Sequence, residues 1–268
     1  MSRLRHAVAW RAERARGQVA AARVAGERRL GSLWPPGPPG PPTSRILCYH
    51  SVGTPHWGTN DVTPARFAGH LERLLDAGCR IVPASELAAG DVPDGPRVAL
   101  TFDDGARSLL DQVAPVLRDL GVPWTAFVVT GWADGGHRYG HDLVLDWHEI
   151  EALAAAGATI ASHSVDHPNF AGLAEGEVGE QLVASRAAIR ARLGIDTREF
   201  AIPVGRARDW PAGAQRAARD AGYDTVYAAT EDRRPPGTVP RTFITRFDDP
   251  RVFRTALAGG FDRWEEWL

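Results

Sequence analysis

Residues 97–105 read RVALTFDDG. The six-residue run RVALTF, breaking off at two aspartates and a glycine, reads as a buried strand that ends in a turn. Beyond it Leu109, Leu110, Val113, Leu117 and Leu120 recur at helical spacing and Gly121 closes the stripe, so a helix is expected over 106–120. WTAFVV (124–129) then opens another strand. The same alternation runs outward in both directions. RILCY (45–49), RIVP (80–83), ATIAS (158–162), EFAIP (199–203) and TVYAA (225–229) read as strands. Between them lie a helix opened by Thr63-Pro64, with Phe67, Leu71, Leu74 and Leu75 on one face, and helices over 147–156, 178–193 and 211–221. Roughly six to eight strands alternating with helices give an α/β fold with a mainly parallel sheet. Periodicity does not choose between an open sheet and a barrel.

The chain of 268 residues is 44% hydrophobic and 24% charged, ordinary usage for a globular protein with a sizeable core. Its net charge of -2 excludes a nucleic-acid footprint spread over the whole molecule. The charge is unevenly placed. The first 34 residues hold eight arginines against Glu13 and Glu27 and read as an alanine-rich helix, followed by PPGPPGPP (35–42), a stiff linker. The expected division is therefore a basic helical arm with linker over 1–44 and a catalytic domain over 45–268. A solvated, frayed extension accounts for the arm; docking on an acidic lipid surface or a partner protein is the alternative. Cys48 and Cys79 lack metal or redox spacing and are expected as small buried hydrophobes. No run approaches the ~18 apolar residues of a membrane span. Arginines interrupt the basic N-terminus before any signal-peptide core can form. The expected location is cytoplasmic, peripheral to the membrane at most.

In parallel α/β folds functional groups gather at the carboxyl ends of strands. Asp103 and Asp104 stand at such an end, and two adjacent carboxylates repel unless a cation or proton lies between them. Taken alone, DDG is equally a solvated turn with a helix-capping aspartate. TIASHSVDHPNF (159–170) places His163 and His167 after the strand ATIAS, at the same edge. Four-residue spacing puts both imidazoles on one face of a helical turn, which suits a metal, although paired surface histidines also occur without one. Joined to one aspartate, the pair leaves coordination positions open for water, as catalytic rather than structural sites do. The second carboxylate is then free for proton transfer.

TFDDG, HSVDHP and FAIPVG (200–205), in this order, resemble the polysaccharide deacetylases, the NodB-homology group of carbohydrate esterase family 4. DWHEIEALAAAGATIASHSVDHPNFAGL (146–173) resembles that family along its whole length, and the likeness extends over about 45–246. It implies a distorted (β/α) barrel and metal-dependent removal of an acetyl group from an N-acetylated, rather than O-acetylated, sugar or glycan precursor. It further implies Asp104, His163 and His167 as ligands of one divalent ion, Zn2+ first, with Co2+ or Ni2+ as alternatives. Asp103 matches the general base that activates water, and the backbone N–H of Val204, after Pro203, matches the oxyanion donor.

Two departures stand out. Ala201 occupies a position where many relatives carry an arginine that orients the base; Arg206, Arg241 and Arg246 are the candidates to replace it, Arg241 foremost. The late histidine that serves as general acid is missing, since no histidine follows His167. CYHSVG (48–53), however, resembles a subgroup with that histidine on the first strand, which makes His50 the acid; the alternative is a buried histidine at a strand end. The loop GWADGGHRYGHD (131–142) is expected to form the rim, with Trp132 and Tyr139 joining Pro203 as substrate contacts; His137 and His141 are expected exposed. The partner implied is an acetylated sugar. A non-sugar C–N amidohydrolase and an inactive carbohydrate-binding module remain as rivals, the latter motivated by Ala201 and the absent late histidine.

Overall fold

The computed structural model describes residues 22–30, 42–90, 95–136, 142–229 and 234–262. In chain order, α1 (22–30) precedes β1 (Arg45–Tyr49), the short strands β2 (Ser51–Val52) and β3 (Asp61–Val62), and α2 (Pro64–Asp76). β4 (Arg80–Ile81), α3 (Ala84–Ala88), β5 (Arg97–Phe102) and α4 (Ala114–Leu120) follow. Then come β6 (Trp124–Val128), α5 (Trp147–Ala155), β7 (Ala158–Ser162), α6 (Glu175–Leu193), β8 (Glu199–Ala201), α7 (Ala214–Asp220), β9 (Thr225–Tyr227), β10 (Thr242–Phe243) and α8 (Pro250–Leu257).

The main sheet runs β10-β1-β5-β6-β7-β8-β9, with β4 beside the start of β5, and every pairing is parallel. It curls into a half-barrel clothed by helices. A parallel bridge between Tyr227 and Val239 brings the chain back beside β9, three residues before β10 pairs with β1. One short segment thus serves both edges of the sheet. The α/β fold with a distorted (β/α) barrel is the observed architecture.

Strand alternation divides the side chains into two layers. Leu47, Tyr49, Val98, Leu100 and Phe102 face outward into the main core with Phe67, Leu71 and Leu74 of α2. Ile46, Ala99, Phe127, Ala161, Ala201 and Tyr227 face the barrel interior, where alanines on three strands make room for the two aromatic rings. Continued past the strand ends, the inward face of β1, β5 and β7 arrives at His50, Asp103 and His163. The site is therefore positioned by register.

Two expectations are corrected here. The helix expected over 106–120 begins as a wide π-type turn at Leu109–Val113 and becomes α4 at Ala114. Pro115 has no N–H to return to the preceding turn, so the ladder is interrupted there. The arm is not a solvated extension within α1: Val24 and Arg28 are buried. Arg28 donates to the Phe243 carbonyl (2.6 Å) and to Asp248 Oδ2 (3.1 Å). Residues 1–21 and most of the proline linker lie outside the described residues. No helix among the described residues is long and apolar enough to cross a membrane.

Candidate active site

Asp103 directly follows β5 and extends its ladder, its N–H donating to the Tyr49 carbonyl at 2.9 Å. Its side chain enters the barrel, where Arg241 grips both carboxylate oxygens, Nη1 on Oδ1 at 2.6 Å and Nη2 on Oδ2 at 2.7 Å. Arg241 is itself fully buried, its Nε donating to the Ala228 carbonyl (3.0 Å), Nη1 also to Thr101 Oγ1 (3.2 Å), and its guanidinium lying over the Phe127 ring. The Cys48 thiol donates to Asp103 Oδ2 at 3.4 Å. Burial pushes Asp103 up, but the Arg241 charge, with His163 and His50 adding, outweighs it and holds the carboxyl well below the usual range. Of the three candidate arginines the structure brings Arg241 to Asp103; Arg206 pairs with Asp209 instead, and the Arg246 guanidinium lies over Phe247.

Alternation alone would send Asp104 away from Asp103. It does not, because Asp104 adopts φ 73° and Gly105 φ 69°, and two successive left-handed residues turn the second carboxylate back into the same pocket. A similar device shapes the histidine loop. His163 continues β7, its N–H donating to the Val128 carbonyl (2.9 Å) and its Nδ1–H to the Ala201 carbonyl (2.8 Å). A carbonyl can only accept, so the proton sits on Nδ1 and Nε2 presents its lone pair to the pocket. His167 is not on a helical turn with His163, as its spacing led one to expect. The chain between them is a loop with Ser164 at φ 71° and His167 at φ 54°, tied by His167 N–H to Ser164 Oγ (3.0 Å). Gln181 of α6 holds the crown of the loop by accepting from the Val165 and Asp166 N–H groups.

The result is a cluster in which one ligand atom from each of Asp104, His163 and His167 lies within 4.8 Å of the others. Asp104 Oδ1 faces His163 Nε2 at 3.5 Å and His167 Nε2 at 3.3 Å, yet it is buried without a hydrogen-bond partner among the described residues. Burial pushes the Asp104 carboxyl up to about 6 and the His163 imidazole down to about 3. A buried carboxylate oxygen without a hydrogen-bond donor among the described residues, facing the Nε2 atoms of two imidazoles, is short of positive charge. This donor set fits a divalent cation with nitrogen and oxygen ligands.

His50 lies just past β1, buried, with Nδ1 unpartnered among the described residues and its ring edge-on to Phe243 at 5.0 Å. Burial lowers its pKa, while the charges of Asp104 and Asp103 oppose that. Tyr49 points the other way, bonding His70 at 3.1 Å. Val204, after the buried Pro203, has φ 65°, uncommon for a β-branched residue, and its N–H makes no hydrogen bond among the described residues. The next residue, Gly205, must be glycine, since a Cβ there would stand 2.5 Å from Ala229 Cβ. All four non-glycine residues with positive φ among those described are Asp104, Ser164, His167 and Val204. Backbone strain is concentrated at one place.

Trp132 is half-buried with its ring 5.5 Å from that of His167. Tyr139, His137 and His141 lie outside the described residues. Cys48, Thr101, Phe243 and Gln181 complete the surroundings without having been expected there. Cys48 and Thr101 had a signal, because each lies two residues before a site residue on the inward face of its strand, Cys48 before His50 on β1 and Thr101 before Asp103 on β5.

The sequence model of a family described as polysaccharide deacetylase matches residues 90–226, half of the chain. The chain is 27% identical to YxkH of Bacillus subtilis over 183 residues, 66% of this chain and 61% of that protein. It is 28% identical to a chitooligosaccharide deacetylase of Sinorhizobium fredii over 156 residues, 58% of this chain and 64% of that protein. It thus spans less than two thirds of the length of either relative. Among solved structures, IcaB from Ammonifex degensii superposes with a TM-score of 0.67 at 27% identity, over 81% of this chain and 98% of that one. The Streptococcus pyogenes deacetylase PplD gives 0.68 at 20% identity, over 81% and 99%, a likeness of fold. Sequence and architecture agree, and the chain belongs to the polysaccharide deacetylase family.

Proposed function

We propose that the protein is a metal-dependent hydrolase that removes the acetyl group from an N-acetylated amino sugar or glycan precursor. The observation that carries this reading is the division of two adjacent aspartates: Asp103 is gripped through both oxygens by Arg241, and Asp104 faces His163 and His167 with an oxygen that has no hydrogen-bond partner among the described residues. Asp104, His163 and His167 would hold the ion, with Zn2+ favoured by two imidazoles and one carboxylate, and Co2+ or Ni2+ compatible. An ion held by these three residues would supply Lewis acidity towards the acyl carbonyl and would make water more acidic, towards a pKa of ~7.

Asp103 enters the reaction ionised and accepts the proton as water adds to the acyl carbon, becoming a neutral carboxylic acid until that proton is passed on. Arg241 fixes the plane of its carboxylate, leaving only the lone pairs that Arg241 does not use. The oxyanion is received by the Val204 N–H, which makes no hydrogen bond among the described residues. An amine leaves poorly unless protonated, and His50 supplies that proton. Trp132 and Pro203 would flank the sugar, Trp132 by stacking beside His167.

Acetate release from a panel of N-acetylated and O-acetylated sugars, with and without added divalent ion, tests this. N-acetylated amino sugars should release acetate only with the ion present. No release from any sugar, alongside hydrolysis of a non-sugar amide, would transfer the site to the amidohydrolase reading.

A further inference from the structure

The strand that delivers Arg241 to the site is among the shortest in the sheet. β10 has two residues and pairs with β1 through Leu47↔Thr242 and Cys48↔Phe243. One further bond, Ile244 N–H to the Cys48 carbonyl (2.8 Å), continues that ladder. So short a pairing should open locally at small cost. Yet both flanks of β10 bear on catalysis. Arg241 precedes it and grips Asp103, and Phe243, its last residue, abuts the His50 ring.

What secures β10 from outside is the N-terminal helix. Arg28 is 2% exposed; its Nη2 donates to the Phe243 carbonyl (2.6 Å), its Nη1 to Asp248 Oδ2 (3.1 Å), and its guanidinium lies over the Phe261 ring. Asp248 is fully buried, and its other oxygen accepts from Thr245 Oγ1 (2.7 Å). Its carbonyl accepts from His70 Nε2 (2.7 Å), and His70 Nδ1 meets the Tyr49 hydroxyl (3.1 Å), one residue before His50. A single buried polar network thus runs from α1 through the segment after β10 to the end of β1.

We propose that Arg28 is a positioning residue, and that α1 is a brace which holds β10 so that Arg241 and His50 keep their places in the site. The proposal rests on the roles given above to Arg241 and His50. It is specific in its chemistry: a guanidinium can bond the Phe243 carbonyl and the Asp248 carboxylate from two separate nitrogens, whereas an ammonium's three donors radiate from one atom.

The test compares full-length Arg28→Met and Arg28→Lys with the parent by hydrogen exchange and by steady-state kinetics. In Arg28→Met, amides of 238–249, Ile244 among them, should exchange faster by about tenfold or more, with β5 to β7 unchanged. Its kcat should fall by about tenfold while KM stays within roughly twofold, and Arg28→Lys should fall between it and the parent. Parental exchange and kcat in both variants would overturn the brace. So would faster exchange spread evenly over the sheet, which is the mark of a generally destabilised fold. If Arg28→Met does not fold, Arg28→Lys decides: lowered kcat with parental KM supports the proposal, and parental kcat defeats it. A parent protein that released no acetate would defeat the proposed function instead, and exchange at 238–249 would still decide the role of Arg28.

Discussion

Asp103 and Asp104 have the same side chain and adjacent positions, but the fold surrounds them with opposite chemistry. Arg241 neutralises the first; the second has one oxygen facing two imidazoles and no hydrogen-bond donor among the described residues. The residues that reach the site by alternation, His50, Asp103 and His163, were legible once the strands were placed. The division of labour between the two aspartates was not, because it depends on the left-handed backbone at Asp104 and on an arginine 138 residues away. Family likeness supplied those assignments. His50 is the residue whose role most needs its own test. His50→Ala should retain the metal ligands, lower turnover of N-acetyl sugars on the order of 10²-fold, and hurt activated aryl acetates far less, since their leaving group needs no proton. Equal losses on both substrates, compared by kcat/KM, would make His50 a packing residue against Phe243.

Elements carried the fold plainly and the site only partly. Apolar runs bounded by turn residues marked the strands of the curled sheet, and ATIAS is β7 residue for residue. Where the reading failed, local backbone chemistry had overridden the pattern. Pro115 converted the expected start of a helix into a wide turn, and two left-handed residues replaced the helical turn expected for His163 and His167. The loop after β8 shows what such geometry demands. Gly205 has φ 77°, and an added Cβ would also stand 2.7 Å from the Ala229 backbone nitrogen. Gly205→Ala should therefore destabilise the protein by at least about 1–2 kcal/mol from backbone conformation alone, read by denaturant unfolding. It should also lower kcat by displacing the Val204 N–H. Parental stability in that variant would mean the loop has a relaxed alternative.

Across the whole molecule, acid stability has a buried source outside the site as well as within it. Burial pushes His70 down to about 4, with the hydrogen bond to the Asp248 carbonyl opposing and the charges of Arg66 and Arg73 assisting. An unfolded histidine titrates near ~6.5, so between these values the unfolded chain binds a proton that the folded one refuses. The contribution is thus kept above that value and lost as pH falls from about 6.5 to about 4, by about 3 kcal/mol in all. Denaturant titrations of the parent and of His70→Gln across this window should converge at low pH; parallel curves would remove His70 as the source. The composition does not reveal this, since a histidine on an amphipathic helix carries no sign in the sequence that it is buried. Nor does it reveal that the arm packs at Arg28, because a basic, alanine-rich helix before a proline linker carries no sign of where it docks. The central claim is that Asp104, His163 and His167 hold one divalent ion while Asp103 does different work beside it. Elemental analysis of the dialysed parent, His167→Ala and Asp103→Asn tests it most directly. The parent and Asp103→Asn should each carry one ion per chain and His167→Ala none; metal retained by His167→Ala, or lost from Asp103→Asn, would contradict it.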